Sequence, residues 1–349
     1  MNITVNGTAL RTDCTTLFPL KAEQMPTADV VILNGFQTNE NLALQEGDIV
    51  SFIEKGVMPN KAELESLMCA RHTPFVHEKV KAAKVAVAGL GGLGSNIAVM
   101  LARLGVGHLL LLDFDVVEPS NLNRQSYYIR HLGMEKTAAM AEQIREINPF
   151  IEVTTKTVRI TEENAVELLK DWDIICEAFD NPQAKAELIN TVLDKLPEKP
   201  IVSGNGMAGY DSANTIVSQN PMGKLYVCGD GKTAAKVGQG LMAPRVSICA
   251  GHQANLILQL ILGKVDLRDE TDLMAERLNQ QVAAAKNKDE ERMILRACTK
   301  EYLHTKEGTY RESFTNRLTD LMVELVNEER KDGRWNDRLD RLNLPQHKK

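Results

Sequence analysis

The stretch Lys84–Gln125, KVAVAGLGGLGSNIAVMLARLGVGHLLLLDFDVVEPSNLNRQ, decides the fold of this chain. Lys84–Ala88 is short and apolar and predicts a buried strand. Gly89, Gly91 and Gly94 follow as G-x-G-x-x-G, with Gly92 in the same loop. Ser95–Leu104 then carries Ile97, Val99, Met100, Leu101 and Leu104 at helical spacing, and His108–Asp113 is a second strand that ends on an acid. A glycine loop between a strand and a helix lets backbone amides approach a phosphate closely, and the helix N-terminus favours the anion. Asp113 stands where an acceptor for ribose hydroxyls is expected. Up to this point any dinucleotide enzyme fits, a dehydrogenase included.

The residues that follow separate the readings. Asp113–Gln125, DFDVVEPSNLNRQ, places amide and guanidinium donors just past the ribose position, and Lys136 opens the next helix 12 residues after Arg124. Two cations there suit a triphosphate, whereas a nicotinamide has no use for both. Asp180, in EAFDN at the end of a later strand, adds a carboxylate at the same sheet edge, and a carboxylate beside phosphates commonly holds Mg²⁺. Asp115 is read either as a nucleotide contact or as a structural acid.

Strand and helix continue to alternate. A helix is expected over 135–147, strands over 151–158, 173–178 and 201–204, and a helix through Leu169 opened by Thr161. Near-continuous apolar strands alternating with helices predict an α/β fold, a Rossmann-like, mostly parallel sheet with helices on both faces. Residues 1–58 form a smaller α+β unit. Ile3 and Val5 alternate before the hairpin pair Asn6-Gly7, and VVILNG (30–35) and DIVSFIEKG (48–56) supply further strands. Residues 59–79, with KAELESLMCARH, form a helical linker, 80–266 the nucleotide domain, and 267–349 a charged helical extension. In that extension Phe314, Leu318, Leu321 and Leu325 share one helical face, with Leu273, Leu278 and Val282 as a weaker stripe. Such faces favour docking or dimerisation over catalysis.

A net charge of −6 argues against a general nucleic-acid binder, so no nucleic-acid partner is expected. The opening MNITVNGTAL lacks a cationic start with an apolar run, and no apolar segment approaches membrane-spanning length. No membrane association is expected. The six cysteines (14, 69, 176, 228, 249, 298) are scattered and form no CxxC pair, which suits a reducing cytoplasm.

Taken together, GLGGLG, DFDxVExSNLxRQ, a lysine in the next helix and an aspartate before an asparagine resemble the ThiF/MoeB branch of the ubiquitin-activating-enzyme superfamily. The resemblance runs on through GLMAPRVSICAGHQANLILQLILG to Gly263. MNITVNG and LALQEGDIVSFIEKG resemble the ThiS sulfur carrier, a β-grasp fold. The resemblance implies an ATP-dependent adenylyltransferase that converts the C-terminal glycine of a separate ThiS-like carrier into an acyl-AMP for thiamin thiazole synthesis. The same chemistry on a MoaD-like carrier, a peptide or a tRNA base is the alternative, as is a scaffold without turnover. A terminal carboxylate is already ionised at pH 7, so the protein need only supply in-line placement and neutralise charge at the α-phosphate. By resemblance Arg124 and Lys136 do this, Asp180 carries Mg²⁺, and Asn121 contacts the phosphates. A homodimer is implied too, with Arg71 reaching the partner's site.

The chain departs from the family in two respects, and a cysteine leaves a third question open. Relatives commonly hold zinc on two CxxC pairs; these are missing here, so no zinc is expected, and His72 and His77 are read as having no cysteine companion. The ThiS-like unit runs Lys55-Gly56-Val57-Met58-Pro59 into the linker without a Gly-Gly end, so it has no carboxylate to activate. Its expected role is docking, stability or dimerisation. Finally, Cys228, in a Gly-rich segment expected to cross over the site, is the candidate for a covalent acyl acceptor, against an inert cysteine.

Overall fold

The computed structural model describes residues 1–73, 75–267, 278–304 and 312–331, which fall into two compact units, Met1–Asp266 and Leu267–Lys349.

Within the first unit, the chain begins with β1 (Asn2–Val5), β2 (Thr8–Arg11), α1 (Leu17–Gln24), β3 (Val30–Leu33), β4 (Phe36–Thr38) and β5 (Ile49–Ile53). The five strands form one sheet in the order β2-β1-β5-β3-β4, with β1 and β5 parallel at its centre. Both hairpins turn on Asn-Gly: Asn6 and Gly7 have φ of 47° and 82°, and Asn34 and Gly35 have 50° and 88°. These are the left-handed values that the tightest hairpin turns demand. Ile3, Val50 and Phe52 meet Leu17 and Leu20 of α1 in a separate small core. Strands β2 and β4 are additions to the expected set. Both are short, polar edges formed by the return arm of an Asn-Gly turn.

Helices α2 (Lys61–Met68) and α3 (Val76–Ala82) lead to a second sheet. It is built from β6 (Lys84–Ala88), α4 (Gly92–Leu104), β7 (His108–Asp113), α5 (Lys136–Ile147), β8 (Glu152–Thr157), α6 (Glu162–Leu169), β9 (Ile174–Glu177), α7 (Pro182–Lys195), β10 (Ile201–Gly204), β11 (Val217–Met222), β12 (Leu225–Gly229) and α8 (Ala243–Leu262). The seven strands run β11-β12-β10-β9-β6-β7-β8, and every pair is parallel except β11–β12. Alternate strand residues Ala86, Ala88, Leu110, Leu112 and Ile175 pack against Leu169 of α6 and Leu188 and Val192 of α7. Helices α4, α5 and α8 pack together, with α5 on β7 and β8 and α8 on β9 and β10. Thr161 precedes α6 as expected, and Asn164 Oδ1 accepts its backbone N–H.

The connections run β6 to β7 to β8 on one side and then return to β9 on the other side of β6. The order therefore reverses between β6 and β9, and the crevice beyond their carboxyl ends is where ligands bind in such sheets. The hairpin β11–β12 was not expected. Its first strand, VSQNPM, is polar and contains Pro221, which an edge strand tolerates, and the register shifts between Gln219 and Met222.

In the second unit α9 (Lys288–His304) and α10 (Glu312–Lys331) bury Leu295, Leu318 and Leu321 with Leu278. The expected stripes supply that cluster in part. Leu273 and the side chains of Phe314 and Leu325 lie outside the described residues. Among the described residues no helix is long and apolar enough to cross a membrane.

Candidate active site

The glycines after β6 meet different surroundings. Gly89 has φ of +92°, and a Cβ there would sit 2.9 Å from the Phe179 ring and 3.0 Å from the Ala178 carbonyl oxygen. At Gly94 a Cβ would lie 1.8 Å from the Gly89 carbonyl oxygen, so the loop closes only without a side chain. At Gly92 it would touch Val246 and the aliphatic stem of Arg124. Gly91 differs: among the described residues nothing lies within 4 Å of such a carbon. The residue immediately before α4 thus faces open space, beside the free amides of a helix start.

Asp113, at the end of β7, is buried and holds this loop. One carboxylate oxygen accepts the Leu90 N–H at 2.6 Å and the other the Asp115 N–H at 2.8 Å. A carboxylate has about four acceptor positions, so both oxygens keep capacity for a ribose hydroxyl. Asp115 pairs at 2.8 Å with Lys136, whose side chain is 7% exposed against 50% for the acid. The ammonium is therefore delivered at the first residue of α5 by a rigid element and a fixed partner. Three hydrogens cannot all be spent on one carboxylate oxygen.

The loop between them is stitched to α4. Asn96 Nδ2 donates to the Gly92 and Arg124 carbonyls at 2.6 and 2.9 Å, its Oδ1 accepts the Ser126 hydroxyl, and Ser95 Oγ accepts the Ser126 N–H at 3.1 Å. Tyr127 donates to the Leu90 carbonyl at 2.9 Å. Burial, then the charges of Asp113 and Asp115, push the phenol pKa up, so Tyr127 stays a donor. Asn121 Oδ1 accepts the Glu118 N–H at 3.0 Å, which fixes a tight turn over Pro119–Asn121. Arg124 donates to Ser120 O and Asn123 Oδ1, while its Nε is shielded from solvent without a partner among the described residues. A buried, unspent guanidinium donor beside an open glycine loop is suited to an anion.

Asp180 lies exposed between β9 and α7. The cap of α7 is Asn181, whose Oδ1 accepts the Gln183 and Ala184 amides at 2.9 and 3.0 Å. Asp180 is therefore not the cap of α7. Next to it the fully buried Glu177 accepts from Ser203 Oγ, the Phe179 amide and Lys185. Lys185 therefore acts as the counter-ion of Glu177. Arg71 sits apart in this chain, exposed and donating to Gln37 Oε1 of β4.

Two sequence expectations are corrected. Cys228 does not cross the site: it lies in β12, opposite Gly204 and Ser218, and is 0% exposed. Burial pushes its thiol up to about 11, despite a hydrogen bond to Ser218, so a nucleophilic thiolate is not available. His72 and His77 do have a cysteine companion, because the turn after α2 brings Cys69 to them.

Arg245 was missed by sequence. It is buried at the start of α8, pairs with Asp230, and donates to the Asp211 and Ser212 carbonyls at 2.8 and 2.6 Å. It ties both connections around β11–β12 to one helix. An arginine directly after a proline in an otherwise apolar segment was the available signal.

Comparison with known proteins places the site in a family. The profile of the ThiF family matches residues 66–301, and that of ThiS-like ubiquitin matches residues 1–56. The adenylyltransferase and sulfurtransferase UBA4 of Eremothecium gossypii is 31% identical over 192 residues, covering 53% of this chain and 43% of that protein. The adenylyltransferase and sulfurtransferase MOCS3 of Culex quinquefasciatus is 32% identical over 192 residues, with the same two shares of 53% and 43%. The chain thus spans under half the length of these relatives. Among solved structures, the AMP complex of E. coli tRNA N6-threonylcarbamoyladenosine dehydratase superposes with a TM-score of 0.53 at 23% identity, over 60% of this chain and 98% of that one. That likeness concerns the fold.

Proposed function

This chain belongs to the ThiF family, and from that premise we propose that it is an ATP-dependent adenylyltransferase acting on the C-terminal glycine of a separate ThiS-like carrier protein. The observation that carries the reading is the arrangement around Gly91: an open glycine loop, Arg124 with an unspent buried donor, and Lys136 held almost buried on Asp115. A glycine loop alone serves any nucleotide. Two cations delivered from separate elements serve a reaction in which charge accumulates on phosphate.

In this reading the ribose lies on Asp113 and the triphosphate on the loop of Gly89, Gly91, Gly92 and Gly94. The carrier's carboxylate attacks the α-phosphorus, the bond to the bridging oxygen breaks, and pyrophosphate leaves with that electron pair. Arg124 and Lys136 neutralise the developing charge, and Asn121 holds the loop that presents Arg124. Asp180 would hold Mg²⁺, which supplies charge neutralisation to the leaving group. Arg71, exposed on the flank beside β4, is proposed to enter the site of a second copy, which makes the active form a homodimer. The ThiS-like unit continues past Gly56 into α2, so the substrate is a different polypeptide.

A second reading keeps the chemistry and changes the carrier to a MoaD-like one. The relatives are named as adenylyltransferase and sulfurtransferase, which fits sulfur transfer to either kind of carrier. ATP–pyrophosphate exchange with Mg²⁺ and a panel of purified Gly-Gly carriers separates the two, with Asp180→Ala as control. Exchange is expected only with the ThiS-like carrier and is expected to vanish in the control. Exchange with a MoaD-like carrier alone would overturn the thiamin assignment.

A further inference from the structure

The turn between α2 and α3 carries chemistry that the adenylation site does not use. Cys69 follows the last residue of α2, His72 lies in the turn, and His77 is in the first turn of α3. Cys69 Sγ and one ring nitrogen of each histidine all lie within 4.8 Å of one another. The Nδ1 atoms of both His72 and His77 are shielded from solvent and have no hydrogen-bond partner among the described residues. Buried polar atoms are nearly always satisfied, so two unsatisfied ring nitrogens beside one thiol call for a ligand.

The surroundings favour a cation. At His77 the other ring nitrogen, Nε2, is 3.8 Å from Glu65 Oε1, and Lys81 grips that same oxygen at 2.6 Å. A carboxylate behind a histidine can orient a metal-binding imidazole once it closes from 3.8 Å to hydrogen-bond distance. Two cations stand close in sequence to the ligands: Lys81, whose pairing with Glu65 offsets its charge, and Arg71, which is exposed and donates to Gln37.

We propose that Cys69, His72 and His77 bind a single Zn²⁺ ion through one sulfur and two nitrogens, with Glu65 orienting His77 from outside. One thiolate with two imidazoles matches the borderline softness of zinc and its tetrahedral preference, and a fourth position remains for water. Metal–ligand distances of roughly 2.0–2.3 Å imply ligands about 3.5 Å apart, so side-chain rotations of about an ångström close the site. Binding replaces the thiol proton: Cys–SH and Zn²⁺ give Cys–S⁻–Zn²⁺ and a released proton. Arg71 lies between two of the ligands, and a Cβ at Gly35 would lie 2.6 Å from the His72 carbonyl oxygen. The metal therefore clasps the turn that joins the small sheet to the nucleotide domain and fixes the backbone of Arg71. This site stands independently of the adenylation reading.

The test uses the full chain, stripped with chelator and desalted. Zn²⁺ is titrated against a chromophoric chelator, and Co²⁺ replaces it as a spectroscopic probe. The wild-type chain is expected to retain one equivalent of Zn²⁺ with sub-micromolar affinity and to show a thiolate-to-cobalt charge-transfer band with intense tetrahedral d–d bands. Cys69→Ser is expected to lose the charge-transfer band, and Glu65→Gln to weaken zinc binding by about 10–100-fold. Circular dichroism of each metal-free variant establishes that it is folded; should one unfold, the wild-type cobalt spectrum decides alone. A wild-type chain that retains no metal and shows no charge-transfer band overturns the proposal. So does zinc binding of unchanged stoichiometry and affinity in folded Cys69→Ser.

Discussion

At the residue scale, the four glycines after β6 are not equivalent, and the difference can be measured. Gly94→Ala must push its new carbon into the Gly89 carbonyl, whereas at Gly91 nothing stands in the way. Gly94→Ala is expected to lower both the melting temperature and ATP affinity. Gly91→Ala is expected to leave the melting temperature unchanged and weaken ATP alone, read by calorimetry against a thermal melt. Lys136→Ala removes the cation delivered by α5 while Asp115 stays half exposed. We expect a fall in pyrophosphate exchange of about 10²–10³-fold with little loss of stability, by analogy with deletion of a single charge-stabilising donor. These residues were legible because the chemistry restricts both residue type and spacing: glycine where Cβ clashes, an acid one strand later, then arginine and lysine. Ser95, Asn96 and Tyr127 were not, since each could equally have been an ordinary polar residue on a helix or loop. Only the folded loop shows Asn96 gripping Gly92 and Arg124, Tyr127 gripping Leu90, and Ser95 holding the Ser126 amide.

Among the elements, the hairpin β11–β12 and its flanking connections hold most of what the sequence concealed. Cys228 has polar neighbours in sequence, which suggested an exposed loop. Its real neighbours are backbone partners in β10 and β11 and the side of α8, which also buries Cys249. Cys228→Ala is accordingly expected to keep full exchange activity and lose about 1 kcal/mol of stability, as measured by denaturant unfolding. A thiol-labile adduct between the carrier and the wild-type chain, formed with ATP and lost in folded Cys228→Ala, would restore the covalent role. The Asp230–Arg245 pair makes these connections acid-sensitive. Burial alone would raise the Asp230 pKa, but hydrogen bonds from the Thr233 and Lys232 amides, the Thr233 hydroxyl and Arg245 outweigh it and hold the carboxyl below its ordinary value. Between the folded and unfolded values the unfolded chain binds more protons, so stability rises with pH there. The contribution is whole above about pH 4 and fades as pH falls through the depressed value. Asp230→Asn should melt lower than wild type at pH 7 and lose less on acidification from pH 5 to pH 3. An acid profile parallel to wild type would contradict this. The cluster of Cys69, His72 and His77 was hidden for the same kind of reason. Its spacing spans a helix end, a turn and a helix start, and only the turn's path makes three separated residues neighbours.

For the molecule as a whole, sheet order does what no single residue can. The reversal between β6 and β9 brings the glycine loop, Asp113 and the Asp180 turn to one edge, and α5 adds Lys136 through its bond to Asp115. That architecture was readable, because buried parallel strands are continuous apolar runs separated by helices, and the Asn-Gly turns marked the small sheet. What stays outside the reach of such patterns is the acceptor, since a carrier's identity is written on surfaces that carry no periodicity. The proposal that the acceptor arrives in trans rests on the fusion of a ThiS-like unit, whose chain continues past Gly56, to a ThiF-family nucleotide domain. The most direct test is ATP–pyrophosphate exchange with a ThiS-like carrier, intact and with its last glycine removed. The account requires exchange with the intact carrier and none with the truncated one. Measurable ATP binding without exchange from either carrier, or exchange indifferent to the missing glycine, would contradict it.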